Sequence, residues 1–364
     1  MNRATYNAGF SLVEILVGMV IGLLGVIIIM QIFAVAEGQK RTTTSGADAQ
    51  TNGNIALFTI ERDTRQAGYG MSLSALGCKI NTYYNGSTTI PGTLTLAPVV
   101  IGDGGVDGSV NALPDTLQLL YSTNAITSLP QVLTFIHPQP AAVAFINSNF
   151  NIAVGDMVVF YEAGKDCTLA QVTNVPSSPT NIIHASTSPW NASGGGSIFP
   201  VGGYNVKATV FNFGSMVSRN YSIDTTNNNL QVFEILSNGP VSTATTPLAG
   251  EIVNLQAQYG KDRGLHPGHV AGDAIVDTWD FCTPGTAGCP ADTWGMVVAV
   301  RIAILARSGQ YEKPTTGGVC TATTAAPSWT GGTMAVQPAG GGLPSCYRYK
   351  VFESVVPLRN IIWG

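Results

Sequence analysis

The chain has 364 residues, only 10% of them charged, and its side chains carry a net charge of −4 at neutral pH. This balance excludes nucleic-acid binding through a basic surface, because phosphate recognition depends on clustered Lys and Arg. A typical soluble domain has about 25% charged residues, so this surface is expected to be solvated mainly by hydroxyl and amide groups. The length allows an N-terminal segment followed by one large or two small domains.

An apolar run extends from Phe10 to Ala36, behind a short leader, Met1–Gly9, whose only charge is Arg3. As a helix the run would be about 40 Å long, enough to cross a bilayer core of about 30 Å. No Ala-x-Ala site follows the run, so the pattern does not fit a cleaved secretory signal. Glu14 lies at the fifth position of the run. A carboxylate at membrane depth is costly, and it therefore indicates a partner and a task.

The sequence Gly-Phe-Ser-Leu-Val-Glu at residues 9–14, behind that small leader, resembles the N-terminus of type IV prepilins. The resemblance implies that prepilin peptidase cleaves between Gly9 and Phe10 and methylates the new amine of Phe10. It also implies that Glu14 pairs with the N-terminal amine of a neighbouring subunit. The protein would first be a single-pass inner-membrane protein with an exported C-terminal domain, and would then enter a pilus at the cell surface. An ordinary single-span anchor, and a Glu14 that reaches the membrane interface, are the alternatives.

Three glycines lie within the apolar run, and two interpretations of them stay open. A glycine in a helix interior costs roughly 1 kcal/mol relative to alanine, which favours local weakening of the helix. A Gly-x-x-x-Gly spacing can instead form a close-packing face between membrane helices. The positions are Gly18, Gly22 and Gly25.

Helical character returns beyond the membrane at Asn54–Gln66, and Gly68 is the predicted stop. Two apolar pairs at i,i+3 spacing are expected to pack this extension on a domain; they are Ile55 with Phe58 and Leu57 with Ile60. The predicted organisation is therefore a leader at 1–9, a transmembrane or filament-core helix at 10–36, a helix extension at 37–68 and an exported β-rich domain at 69–364.

Six cysteines, an even number, indicate an oxidising compartment. Six cysteines allow 15 pairings. The spacing favours one bridge across a Pro/Gly turn and a second that closes a Gly/Thr/Ala-rich loop, which leaves the third pair by elimination. These pairs are Cys282–Cys289, Cys320–Cys346 and Cys78–Cys167. Zinc is the rival explanation, but the chain has no Cys-x-x-Cys pair.

After residue 70, short β-rich runs bounded by Gly, Pro, Asn or Asp predict strands. A hairpin is indicated where Tyr221–Asp224 and Leu230–Glu234 flank Thr-Thr-Asn-Asn-Asn. Several segments resemble PilW-type minor pilins; they are Ile60–Gly70, Gly155-Asp156, Cys167–Val175, Ile252–Gly260, Val300–Ser308 and Val356–Asn360. J-type minor pseudopilins of type II secretion are similar. The resemblance implies an α+β, type IV pilin-like fold, in which a long N-terminal helix carries an antiparallel β-rich domain stapled by disulfides.

The densest group of candidate metal ligands comprises two histidines and four carboxylates: His266, His269, Asp262, Asp273, Asp277 and Asp280. Carboxylates with loop carbonyls suit calcium, and two His with carboxylates suit a transition metal. The spacing is not that of an EF-hand, and Pro267 prevents both His from sharing a helical turn. We therefore favour a solvated loop and no cofactor, with calcium and then a transition metal as the alternatives.

The sequence offers no motif for catalysis. It has no Gly-x-Ser-x-Gly elbow and no glycine-rich phosphate loop followed by Lys-Ser or Lys-Thr. His137 and His184 are isolated in the sequence and are interpreted as structural. The protein is therefore not expected to be an enzyme.

The resemblance implies a minor pilin that joins a tip or priming complex and promotes assembly through its helix. Its implied partners are prepilin peptidase, other minor pilins, the major pilin and, as a further candidate, a large tip adhesin, with no nucleic acid among them. Glu14 implies a place below the extreme tip, because minor pilins there tend to lack this residue. One alternative is a secretion pseudopilin. Another is a binding or adhesion module that uses the loop Thr315–Pro344 or the surroundings of Trp279 and Trp294.

Overall fold

The computed structural model describes residues 11–87, 94–107, 110–111, 113–123, 130–178, 180–193, 198–236, 244–312, 318–320, 322–336 and 344–362. Its first element is helix α1 (Leu12–Gln66), which runs without a break over 55 residues, or about 83 Å. The chain is helical at all three glycines of the apolar run, so they do not break the helix, and local weakening there stays a prediction. Once a helix is nucleated, each further residue adds a backbone hydrogen bond, and this offsets a local glycine penalty.

The described part of the chain contains 21 strands, most of them short. The first ten are β1 (Lys79–Asn81), β2 (Leu94–Thr95), β3 (Val99–Gly102), β4 (Val106–Asp107), β5 (Val110–Asn111), β6 (Thr116–Ser122), β7 (Gln131–Val132), β8 (Val143–Phe145), β9 (Met157–Tyr161) and β10 (Cys167–Gln171). The others are β11 (Asn181–Ile183), β12 (Thr209–Gly214), β13 (Met216–Asp224), β14 (Asn229–Leu236), β15 (Thr246–Gly250), β16 (Ile252–Lys261), β17 (Thr278–Asp280), β18 (Val297–Arg307), β19 (Ser328–Trp329), β20 (Gly332–Met334) and β21 (Tyr349–Pro357). A short helix, α2 (Arg359–Ile362), follows β21.

The strands form five sheets in the described residues. Their orders are β2-β1-β10-β9-β12-β7, β15-β14-β13-β6-β3, β17-β16-β18-β21, β19-β20-β5-β4 and β11-β8. Among the described strands, only β1 with β10 and β5 with β20 pair in parallel. The predicted hairpin is present, since β13 and β14 pair up to Asp224 opposite Asn229. Asn228, in its turn, has a φ of 54°, a left-handed conformation that asparagine tolerates.

The C-terminal half of α1 packs on the main core through a narrow stripe of small and apolar residues. The stripe consists of Ala49, Gly53, Ala56, Ile60 and Ala67, all buried. Their spacings of four, three, four and seven residues keep them on one helix face. Small side chains let the helix approach the sheet β17-β16-β18-β21 closely.

The expected packing of Ile55 with Phe58 on the domain is wrong. These side chains are 49% and 65% exposed, because they lie on the helix face away from the stripe. The other expected pair does pack, since Ile60 is fully buried and Leu57 is partly buried against the same core. Helical spacing in the sequence identifies the apolar residues of this segment. Which helix face packs on the domain depends on which side chains are small enough to let the helix touch the sheet.

Two further cores lie on the opposite faces of the six-stranded sheet. One contains Trp190, Phe211 and Phe213, and the other contains Phe160, Phe199 and Tyr204. A fourth, smaller core around Trp329 covers the face of β18 and β21 that is turned away from α1. The fold class is therefore α+β, with a long N-terminal helix and a mostly antiparallel, disulfide-linked β-rich region, as the sequence predicted.

Candidate functional site

The N-terminal part of α1 is an exposed apolar helix. Among the described residues, one helix segment is long and apolar enough to cross a membrane, Leu12–Lys40, and none of it is buried against the rest of the chain. Leu12 is 77% exposed and Phe33 is 70% exposed. So much apolar surface requires lipid or other protein to cover it. Gly9 and Phe10, the predicted processing residues, lie outside the described residues.

Glu14 forms part of the N-terminal cap of α1. The Ser11 side chain accepts a hydrogen bond from the Val13 N–H at 3.2 Å, and the Glu14 carboxylate accepts one from the Ser11 N–H at 3.0 Å. This reciprocal arrangement is a capping box, which satisfies two of the unpaired amides at the helix start. The Ser-x-x-Glu spacing at residues 11–14 was a readable signal for it, and our sequence interpretation missed it.

A buried ion cluster fixes the other end of α1 to the domain. Asp63 is 1% exposed and accepts hydrogen bonds from the Arg219 guanidinium and the Tyr221 hydroxyl, both on β13. The Arg62 Nε–H also donates to Asp63, at 3.0 Å. Burial, reinforced by the hydrogen bond to Asp63, raises the pKa of Tyr221, so its hydroxyl stays protonated and donating. Partial burial opposes the charge on Arg219, but the hydrogen bond to Asp63, the charge of Asp63 and further nearby charges together raise the pKa of that guanidinium.

The last carbonyls of α1 are capped from the end of the chain. The Asn360 side-chain amide donates to the Gln66 and Ala67 carbonyl oxygens, each at 3.1 Å. The Gly68 N–H donates to the Leu120 carbonyl at 2.9 Å. Helix ends leave several carbonyls without partners, so these contacts end α1 at a defined place and anchor it to two separate parts of the domain.

The structure joins the six cysteines as Cys78–Cys167, Cys282–Cys289 and Cys320–Cys346. Their Cα atoms are 5.8, 5.4 and 4.8 Å apart, within the range that disulfide geometry allows. Cys78–Cys167 ties the segment that follows α1 to the six-stranded sheet, and Cys320–Cys346 closes the loop before β21.

The four carboxylates considered for calcium do not converge on one point. Asp262 accepts from the Gly272 and Ala274 amides, and Asp277 accepts from the Arg263 and Leu265 amides. Desolvation alone would raise the pKa of Asp277, but the Leu265 N–H, the Thr278 hydroxyl and further backbone N–H donors together lower it.

The remaining candidates, Asp273 and Asp280, are also engaged elsewhere. Asp273 accepts from the Ile275 amide and contacts His269 at 2.7 Å, while the second loop histidine, His266, lies edge-on to His269 with ring centroids 5.8 Å apart. Asp280 pairs with Lys261 and Arg263. In the part of the chain that the structure describes, no group of three or more His, Cys, Asp or Glu could hold a metal ion.

The sequence interpretation missed the ion network around Lys261. This side chain is fully buried, and its ammonium donates to Asp292 at 2.8 Å and to the Cys282 carbonyl at 2.7 Å, and pairs with Asp280 at 2.6 Å. The Arg263 guanidinium, with the Lys261 ammonium, lowers the pKa of Asp292 to about 2. Two cations and two carboxylates therefore neutralise one another at the base of the loop that carries His266 and His269.

The two histidines that looked isolated in the sequence meet in the interior. Their Nε2 atoms are 2.9 Å apart, and both side chains are buried. Burial lowers the pKa of His137 to about 4 and that of His184 to about 3, so the pair is neutral at pH 7. Phe160 and Phe199 pack around them, which is consistent with a structural role.

A comparison with known protein families finds a match for the C-terminal part of this chain. Residues 218–360 match the family model described as type IV pilus-assembly protein W. The resemblance to PilW-type pilins is thereby confirmed over β13 to α2, the region that holds Arg219, the Lys261 network and Asn360. The match contains both strands on which α1 chiefly packs, β18 and β21.

One solved structure similar to this chain is a type IV-like pilin from Thermus thermophilus, with 10% sequence identity. The alignment covers 86% of this chain and 97% of that chain, with a TM-score of 0.34. Because this TM-score is low, the fold is assigned from the helices and strands described above and not from this alignment. No curated protein matches this chain.

Proposed function

We propose that this protein is a minor pilin that joins a tip or priming complex and promotes type IV pilus assembly through its N-terminal helix. The observation that carries the proposal is a fully exposed apolar helix that is continuous with a helix anchored on a PilW-like region. In the inner membrane this surface would face lipid. In a filament, other pilin helices would replace the lipid.

Processing by prepilin peptidase is the step that would make the helix competent. Cleavage after Gly9 would leave Phe10 as the N-terminus, one residue before the Ser11 amide that Glu14 already caps. The Glu14 carboxylate is exposed on the helix surface, and it would exchange the Ser11 amide for the Phe10 amine of a neighbouring subunit. A charged pair of this kind would set the register between helices, because an unpaired charge at membrane depth is costly.

The proposal is tested by complementing a deletion strain with Glu14→Ala and with Asp48→Ala as a matched control on the exposed helix surface. We expect Glu14→Ala to reduce pilus number and incorporation into sheared pili, while Asp48→Ala behaves as wild type. Mass spectrometry of the wild-type protein should find an N-methylated Phe10. Retention of residues 1–9, or normal incorporation of Glu14→Ala, would refute the proposed mechanism.

Adhesion is a second candidate function, and exposed aromatic residues outside the family match favour it. Phe135 and Phe145 are 64% and 43% exposed, with ring centroids 5.4 Å apart, and Phe150 is 79% exposed. Replacement of Phe135 and Phe145 by serine separates the two functions: lost adhesion with normal pili supports binding, whereas lost pili supports assembly alone. For the secretion alternative no such observation exists, and the matched family model is one of pilus assembly.

A further inference from the structure

The strand β21 lies at an open edge of the sheet on which α1 packs. In the order β17-β16-β18-β21 it pairs with β18 on one side, and no described strand pairs with its other side. It is nine residues long, whereas the edge strands of the other described sheets have five residues or fewer. Long open edges expose unpaired amides and carbonyls, which are templates for another strand.

The register shows which backbone groups point outward. Ser308 N–H donates to the Arg348 carbonyl and Leu358 N–H donates to the Val298 carbonyl, so even-numbered residues of β21 bond to β18. In an antiparallel pair the alternate residues face away. The N–H and C=O groups of Val351, Glu353 and Val355 therefore point to the open edge.

Both faces of β21 contact other parts of the chain, although four of its nine residues are exposed. On one face Phe352 lies against Gly53 of α1. On the other face Val351 packs in the core around Trp329, and Glu353 accepts from the Thr330 amide. Val355, near the end of the strand, is 49% exposed.

Proline marks the same edge. Pro357 stands at an outward-facing position and has no N–H to offer. Proline in sheets is confined to edges where its nitrogen faces away from the ladder. Pro357 thus bounds the region available for pairing to residues 349–356 of the strand, and it shows that this fold accepts proline at an outward position.

We propose that the edge of β21 accepts an extended strand from another pilus subunit, so that the sheet continues across the contact. This inference rests on the proposed function. Its support is that the C-terminal half of α1, which continues the exposed segment Leu12–Lys40, packs over β18 and β21 at the open side of the sheet. A subunit that packs along this half of α1 would therefore be beside this edge. Main-chain hydrogen bonds would supply the attachment, and an apolar residue beside Val355 would supply specificity.

The experiment replaces one outward amide. Val355→Pro removes an N–H that has no partner within β21–β18, and its ring blocks strand addition. Val355→Thr keeps the N–H and is the matched control, while Ser354→Pro removes an inward N–H and should unfold the sheet. We expect Val355→Pro to keep the wild-type melting temperature within about 3 °C and to lose about tenfold or more in co-purification with other pilins from sheared pili.

A second measurement does not depend on the stability of a variant. A photo-crosslinker at Lys350, an exposed residue of β21, should capture a pilin subunit in wild type and fail to do so in Val355→Pro. Wild-type co-purification by Val355→Pro, or a cross-link that persists in it, overturns the docking edge. If Glu14→Ala is defective in the same strains, the proposed function stands without the edge; if neither variant is defective, both proposals fall.

Discussion

Gly53 of α1 lies directly against the ring of Phe352 on β21, so closely that a Cβ at position 53 would overlap the ring. The contact sits in the middle of the buried stripe of α1 and sets the distance between helix and sheet. In the helix interior this glycine costs roughly 1 kcal/mol relative to alanine. Close packing against an aromatic ring is what offsets that cost.

Gly53→Ala should therefore destabilise the protein, although alanine is the better helix former. Overpacking typically costs about 1–3 kcal/mol, which exceeds the gain in helix propensity. Gly46→Ala is the matched control, because it lies in the same helix with nothing near its Cβ position, and it should be neutral or slightly stabilising. Thermal unfolding of the full chain in detergent measures both. A gain in stability by Gly53→Ala would mean that the helix does not approach the sheet as closely as the structure describes.

Asp63→Ala should be among the most destabilising single changes in the helix. It would leave the partly buried Arg219 and the Tyr221 hydroxyl without their shared acceptor, and breaking such a buried pair costs about 3–5 kcal/mol. Arg62→Gln is the control, since Arg62 is 53% exposed and its ion pair should contribute little. Denaturant titration gives the two differences. If Asp63→Ala and Arg62→Gln cost the same, Asp63 does not anchor the helix.

Local signals in the sequence predicted much of this molecule. The length of the apolar run, the turn between β13 and β14 and the three cysteine pairings all depend on residues close in sequence or few in number. The Ser11–Glu14 capping box was equally local, and it was missed because Glu14 was read only as a costly charge. The N-terminal part of the proposed site is thus largely accessible without a structure.

Contacts between distant residues could not be predicted in this way. Asp63 and Arg219 are 156 positions apart, and Gly53 reads as a weak point until Phe352 is seen beside it. In the sequence, Lys261 and Asp292 look like ordinary surface charges. Only the fold reveals that the Lys261 side chain is fully buried. The buried face of α1 was likewise decided by the sheet it meets, and helical spacing alone left two faces open.

The His137–His184 pair should make the protein acid-sensitive. Both side chains have lowered pKa values in the fold, about 4 and about 3, against 6.5 when unfolded. Below pH 6.5 the unfolded chain binds protons that the folded chain does not, so stability falls as pH falls towards 4. Melting temperatures of wild type and of the double variant His137→Leu, His184→Leu should therefore diverge over this window, with the variant the flatter.

Wild type must be compared with the double variant because the contribution of Asp115 to stability changes with pH in the opposite direction to that of the histidine pair. Burial raises its pKa to about 7, so the stability it contributes is present at low pH and is lost as pH rises through that value. This contribution is common to wild type and variant, and it cancels in their difference. Parallel melting curves from pH 6.5 to 4 would show that the two histidines are not buried as a neutral pair.

Calcium should leave the protein unchanged, because its candidate ligands already have partners. Asp280 bonds to Lys261 and Arg263, and a bound cation would have to displace one of these positive groups. A ligand that binds only the folded state raises the free energy of unfolding by RT ln(1 + [L]/Kd), where [L] is the free ligand concentration. Millimolar calcium and excess chelator should therefore give melting temperatures within about 1 °C of each other, because the free energy of unfolding has no binding contribution.

Asp280→Asn separates the two roles of the carboxylate: it should lower the melting temperature equally with calcium and with chelator, since what it removes is an ion pair. A rise in melting temperature with calcium that Asp280→Asn abolishes would instead identify this loop as a calcium site.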